Sequence, residues 1–155
     1  SMSYLAYKPA IDVPKKIKPQ PNVFLEFAPI DRDYRYSIRD RRLAVNRMFN
    51  NAAAELIRYF GPADSQALEY WLDVSMFSRW KMPLRRIPVS LKVMQADLEH
   101  YAAMGFEHIS TFGAWLDERY VRRFGSRAMR DFSRIVMQQT ATAQITQIKS
   151  DENKQ

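Results

Sequence analysis

The chain contains no cysteine, so neither a disulfide frame nor a thiolate metal site is open to it. Glycine is scarce: four residues stand alone at positions 61, 105, 113 and 125, and isolated glycines cannot assemble a phosphate-cradling loop. The two histidines, His100 and His108, give no metal-ligand spacing, and no serine elbow or cysteine nucleophile context occurs. Neither a metal nor a cofactor is implied. No apolar run reaches the ~18 residues that would suggest a membrane span, and the first residues lack the charged-then-apolar layout of a signal peptide. The absence of cysteine leans towards the cytoplasm but leaves the compartment open.

What is present suffices for one packed domain. Of the 155 residues 46% are hydrophobic and 13% aromatic. The formal net charge is +7, which raises the question of an anionic partner. Sixteen of the 24 cations are arginine, and fifteen of these lie in 32–47, 79–86 and 119–134, with acids interleaved in the first and last of these stretches. Arginine suits bidentate pairing with carboxylate or phosphate, whereas a nucleic-acid stripe adds many lysines on one face. Solvated helix faces with intrachain pairs are therefore the first expectation, an anion site the second and a nucleic-acid surface the last.

Three segments share one design: Asn22–Arg32 (NVFLEFAPIDR), Ala67–Ser75 (ALEYWLDVS) and His108–Asp117 (HISTFGAWLD). Each is an apolar, aromatic-containing run that reads as a strand, carries a carboxylate towards its end and precedes a helical pattern. Their recurrence at roughly 40 to 45 residues matches β/α units. The expected class is α/β, with three consecutive parallel β/α units. Residues 1–21 read as a proline- and lysine-rich extended lead-in, 22–140 as the β/α domain and 141–155 as a polar tail. A first helix is expected from Asp40 as N-cap to a stop at Gly61-Pro62, a second from Ser90 to Gly105 and a last one from about Ser126.

The strings FLEFAPIDRDYRYSIRD, LEYWLDVSMFSRW and IPVSLKVMQADLEHYAAMGFEHISTFGAWLD, in that order and spacing, resemble a bacterial, glycoside-hydrolase-like family catalogued as domain of unknown function 4838. The likeness covers roughly residues 19–124. It implies a (β/α)8 barrel of which this chain would hold about three units, an activity on glycosidic bonds and an incomplete catalytic set. A three-strand piece leaves two sheet edges and one face to be covered, so self-association is expected.

Glycoside cleavage needs two facing carboxyl groups at strand ends. Glu69 and Asp73 are the leading catalytic candidates and Asp31 the third; Glu26 lies within a strand and Asp117 at a strand end. Strand alternation would put Glu69, Trp71 and Asp73 on one face. The alternative is that such acids cap helices or pair with arginine. Trp71 and Trp80 are candidate stacking platforms, with core packing the competing role for Trp71 and Trp115. Trp80, between Arg79 and Lys81, sits in a basic loop where a core role is harder to arrange. Arg32, Arg79 and Arg85 could hold the carboxylate of an acidic sugar. The leading functional expectation is thus an oligosaccharide-binding, glycoside-hydrolase-like surface at the strand C-termini. A basic interaction module for a polyanion or protein partner is the alternative, and a sub-barrel piece without activity of its own is the third.

Overall fold

The computed structural model describes residues 1–16 and 18–138. The expected polar tail, 141–155, lies outside them. Four strands, β1 (Met2–Ala6), β2 (Val23–Phe27), β3 (Gln66–Glu69) and β4 (His108–Thr111), form one all-parallel sheet in the order β1-β2-β3-β4. Helix α1 (Ala44–Phe60) connects β2 to β3. The short α2 (Val74–Phe77) and the longer α3 (Leu91–Met104) connect β3 to β4, and α4 (Glu118–Phe124) follows β4. Among the described residues a fifth helix, α5, covers 127–138. The α/β class and the parallel sheet are as expected.

β1 lies in the stretch expected to be only a lead-in. Its residues pair in parallel with β2 in the register Met2↔Val23 to Ala6↔Phe27. Five residues before a proline-rich segment carry too short an alternation to declare a strand, yet Ala6 is buried and Tyr4 stacks on Phe60 of α1 with ring centroids 4.8 Å apart. The other strands are shorter than expected. β2 ends at Phe27, ahead of Pro29, which cannot donate to a ladder, and β3 ends at Glu69. The apolar residues beyond them, Ala28 to Ile30 and Tyr70 to Leu72, are buried loop residues.

Parity along the strands divides the sheet into two unlike faces. Leu25, Phe27, Ala67 and Glu69 are buried on one, beneath α1 and α3. The rings of Phe27 and Tyr101 meet edge-on at 6.3 Å, which seats α3 there. On the other face Phe24, Glu26, Gln66 and Leu68 are half-buried, while Leu5 and His108 are exposed.

Helix ends follow local chemistry with one departure. Ser90 caps α3 by accepting the Val93 amide at 3.3 Å, and Gly105 ends that helix with φ 99°, a left-handed angle that suits glycine. The amide of Gly61 closes α1 on Ile57. Asp40, however, does not cap α1: the cap position is Leu43, without a side-chain bond. Asp40 instead accepts the backbone and side chain of Arg42 at 3.1 and 2.9 Å. The buried Asn46 anchors the loop before α1, accepting the Asp33 amide at 2.8 Å and donating to the Asp33 and Ser37 carbonyls.

Candidate functional site

Every β-to-α connection that follows β2, β3 and β4 emerges at the C-terminal edge of the sheet, so the loops 28–43, 70–90 and 112–117 gather there. The arrangement has a buried tier and an exposed one.

The buried tier is centred on Arg32. Its side chain and those of Glu69 and Asp97 are completely shielded from solvent. Nη2 of Arg32 lies 2.5 Å from Oδ2 of Asp97 and 3.1 Å from Oε1 of Glu69, Nε reaches Oε2 of Glu69 at 3.3 Å and Nη1 donates to the Tyr36 carbonyl at 3.1 Å. The guanidinium also stacks 4.2 Å from the Tyr34 ring centroid. Asp97 accepts from the Ser37 hydroxyl at 2.6 Å, the Ile38 amide at 2.8 Å and the Trp71 indole N–H at 3.2 Å. Glu69 accepts from the Tyr101 hydroxyl at 2.6 Å. One cation thus ties the β2 loop, the end of β3 and α3 together.

Burial disfavours every charged form here, and the partners decide the balance. Arg32 is opposed by burial but held well above its ordinary pKa by Glu69 and Asp97, so it stays charged. Burial pushes the Glu69 carboxyl up, against the pull of Arg32. Tyr101 and Tyr34 are both pushed well up, burial first and the nearby Glu69 charge second.

The exposed tier is the loop after α2. Trp80 is 61% exposed and Met82 56%, beside the exposed Arg79, Lys81, Arg85 and Arg86. The loop is held at its base: the Trp80 amide donates to the Ser75 carbonyl at 2.8 Å, Arg79 to Met76 at 2.9 Å and the Arg85 amide to the Ser78 hydroxyl at 3.0 Å. Arg79 and Trp80 both take left-handed backbone angles, φ 57° and 54°. Two consecutive non-glycine residues in that region cost on the order of 1–3 kcal/mol each and persist only where surrounding bonds impose them.

The residues singled out from sequence therefore separate. Arg32, Glu69 and Trp71 meet in the buried network, joined by Asp97, Tyr101 and Ser37, which the sequence reading did not single out. Asp97 had a visible signal: it lies three residues after Met94 and four before Tyr101, on the apolar stripe of α3, and a carboxylate there must find buried partners. Glu69, Trp71 and Asp73 do not share a strand face, because β3 has already ended. Asp73 is buried as the N-cap of α2, accepting the Ser75 hydroxyl at 2.5 Å and the Met76 amide at 3.0 Å. Asp117 likewise caps α4. Asp31 is exposed and lines an open groove of about 440 Å³ with Asp33, Arg35, Val45, Met76 and Phe77. Trp80, Arg79 and Arg85 share the exposed loop, and Trp115 is half-buried.

The interleaved charges form short-range pairs as anticipated. Arg35 with Asp33, Arg42 with Asp40 and Arg119 with Asp117 each close at 2.6 Å. Comparison of the chain with family models, curated proteins and solved structures finds no match.

Proposed function

We propose that this chain is part of a glycoside-hydrolase-like barrel and binds an acidic oligosaccharide at the C-terminal edge of its parallel sheet. The observation that carries the reading is Trp80: a large aromatic ring, mostly exposed, on a loop whose backbone is bonded at its base and flanked by cations. A ring held in that way offers a flat platform to the C–H face of a sugar. Arg79 and Arg85 supply charge-assisted donors for its carboxylate. The Arg32–Glu69–Asp97 network lies beneath this edge and fixes the loop after β2 and Trp71 at the start of the connection that leads to α2 and the Trp80 loop.

The barrel part of the reading rests on strand order as well as on the sequence likeness. Sequential parallel neighbours, β1-β2-β3-β4, follow the progression by which a barrel is wound, and four strands are half of the eight that close one. Two sheet edges and the face bearing Leu5, Phe24 and Leu68 invite completion by a second copy of the chain. Catalysis is incomplete on this reading: Glu69 is committed to Arg32 and Tyr101, and Asp73 to the α2 cap.

The test uses fluorescence. Trp71 is buried and Trp115 half-buried, so acrylamide quenching reports chiefly on Trp80. Uronate-bearing oligosaccharides should protect it, neutral ones less so, and Trp80→Ala should abolish the response. Failure across a broad glycan panel would remove the reading. The cations of the same loop also favour a polyanion as a second reading. That binding would weaken steeply with salt, with a slope set by the number of contacted charges, whereas a sugar held by stacking and one ion pair would change little.

A further inference from the structure

At the opposite, N-terminal edge of the sheet, Asp64, Glu107 and His108 bring two carboxylates and an imidazole together. Their ligand atoms all lie within 4.8 Å of one another. Around one tetrahedral zinc, ligand atoms at ~2.0–2.2 Å from the metal would sit roughly 3.3 Å apart, so small side-chain rotations close the set. The positions are fixed by backbone bonds between the two loops. Ser65, next to Asp64, is buried and its carbonyl accepts the amides of Glu107 and His108 at 3.1 and 2.9 Å, while the Asp64 amide donates to Oε2 of Glu107 at 3.0 Å. The three donors therefore come from the turns that lead into neighbouring strands β3 and β4 and from the first residue of β4.

We infer that Asp64, Glu107 and His108 bind a divalent transition-metal ion, with water completing its coordination, and that the ion staples the turn before β3 to the start of β4. The donor set selects the class of ion. Imidazole with carboxylates suits zinc, nickel, cobalt or copper, whereas magnesium and calcium take oxygen ligands alone. The acids stand out against the chain's +7 charge, and their exposure keeps the ion partly hydrated, which limits affinity to a moderate range. This inference is independent of the sugar-binding reading, since the two sites occupy opposite edges of the sheet.

The test is calorimetric titration of zinc chloride into tag-free, chelator-dialysed protein, with thermal unfolding recorded in parallel. The expected result is one ion per chain and a raised midpoint, with His108→Ala and Asp64→Asn each weakening binding tenfold or more and abolishing the shift. His100→Ala, which changes the other histidine, should bind as the parent does. Magnesium at the same concentration should produce no shift. Equal binding by parent and His108→Ala, equal effects of magnesium and zinc, or no binding at millimolar zinc would each overturn the inference.

Discussion

Replacing Arg32 by methionine removes the one cation that two buried carboxylates share. The side chain makes two contacts to Glu69 and one to Asp97, all shielded from water, and one to the part-buried Tyr36 carbonyl. Hydrogen bonds to charged groups contribute roughly 1.5–3 kcal/mol each, and removing one partner of a buried ion pair typically costs about 3–5 kcal/mol because the remaining charge is stranded. Methionine fills much of the volume, so the electrostatic loss dominates over the cavity. Against a total stability of about 5–15 kcal/mol the change is large. With a urea dependence of about 2 kcal/mol per molar, the unfolding midpoint should fall by roughly 1.5–2.5 M. Glu69, pushed up by burial and freed of the opposing pull of Arg32, also gives the loss a pH signature: protonation of its carboxyl at pH 5 should recover part of it, and pH 8 should deepen it. Arg42→Ala, which opens an exposed pair, should leave the midpoint unchanged. A fall of less than about 0.5 M for Arg32→Met, or a larger fall that is the same at pH 5 and pH 8, would refute the electrostatic account of this network.

Asp97→Asn should destabilise more than Glu69→Gln, because both Asp97 oxygens already accept strong bonds, from Ser37, Ile38, Arg32 and Trp71, and an amide NH2 has nowhere to donate; urea midpoints of the two variants decide it. Glu69 has its pKa raised by burial, so its contribution to stability is fully present below the ordinary carboxylate value and is lost as pH rises through the folded one; Glu69→Gln should flatten that part of the stability–pH curve. His100 shows the opposite case. Burial lowers its pKa, its ring bonds Asn50 at 2.6 Å, and stability should fall as pH drops below about 6.5, with an NMR titration midpoint for His100 beneath that value. Light scattering should give a mass of at least twice 18.3 kDa, and Leu5→Lys, on the open face, should shift the chain to a monomer that remains folded by circular dichroism.

The parallel α/β class was legible because three apolar runs, each followed by a helical stripe, repeat at near-constant spacing. The ends of those runs were not. Ala28, Ile30, Tyr70, Trp71 and Leu72 are as apolar as strand residues but serve as buried loop, since the residues at this edge pack over the network rather than extend the ladder. β1 escaped notice because five residues of modest alternation gain their meaning only from pairing with β2. Asp40 shows how a local signal loses to its neighbour: the nearby Arg42 takes the carboxylate that could have capped α1. Asp64 and Glu107 are 43 residues apart, and no spacing rule joins an acid in a turn to a histidine that opens a strand.

Parity also reassigns the acids. Glu26 and Glu69 both lie in strands, but the register Glu26↔Gln66 puts Glu26 on the open face, whereas Glu69 lies one step out of phase on the helix-covered face. In a closed barrel the helix-covered face is the outside and the open face is the lumen, where substrates meet strand-end residues. On the proposed reading, Glu69 therefore acts as a support and Glu26 faces the region a substrate would occupy. The charge of Glu26 is also felt by Tyr70, whose hydroxyl is pushed up in pKa mainly by burial and then by surrounding charges including Asp73 and Glu26. Support and contact residues should respond differently to neutral substitution: Glu69→Gln should lower the urea midpoint, while Glu26→Gln should leave it in place and alter the affinity for uronate oligosaccharides. If Glu26→Gln instead destabilised the chain and left sugar affinity unchanged, the open face would be an ordinary packing surface and the barrel reading would lose its structural basis.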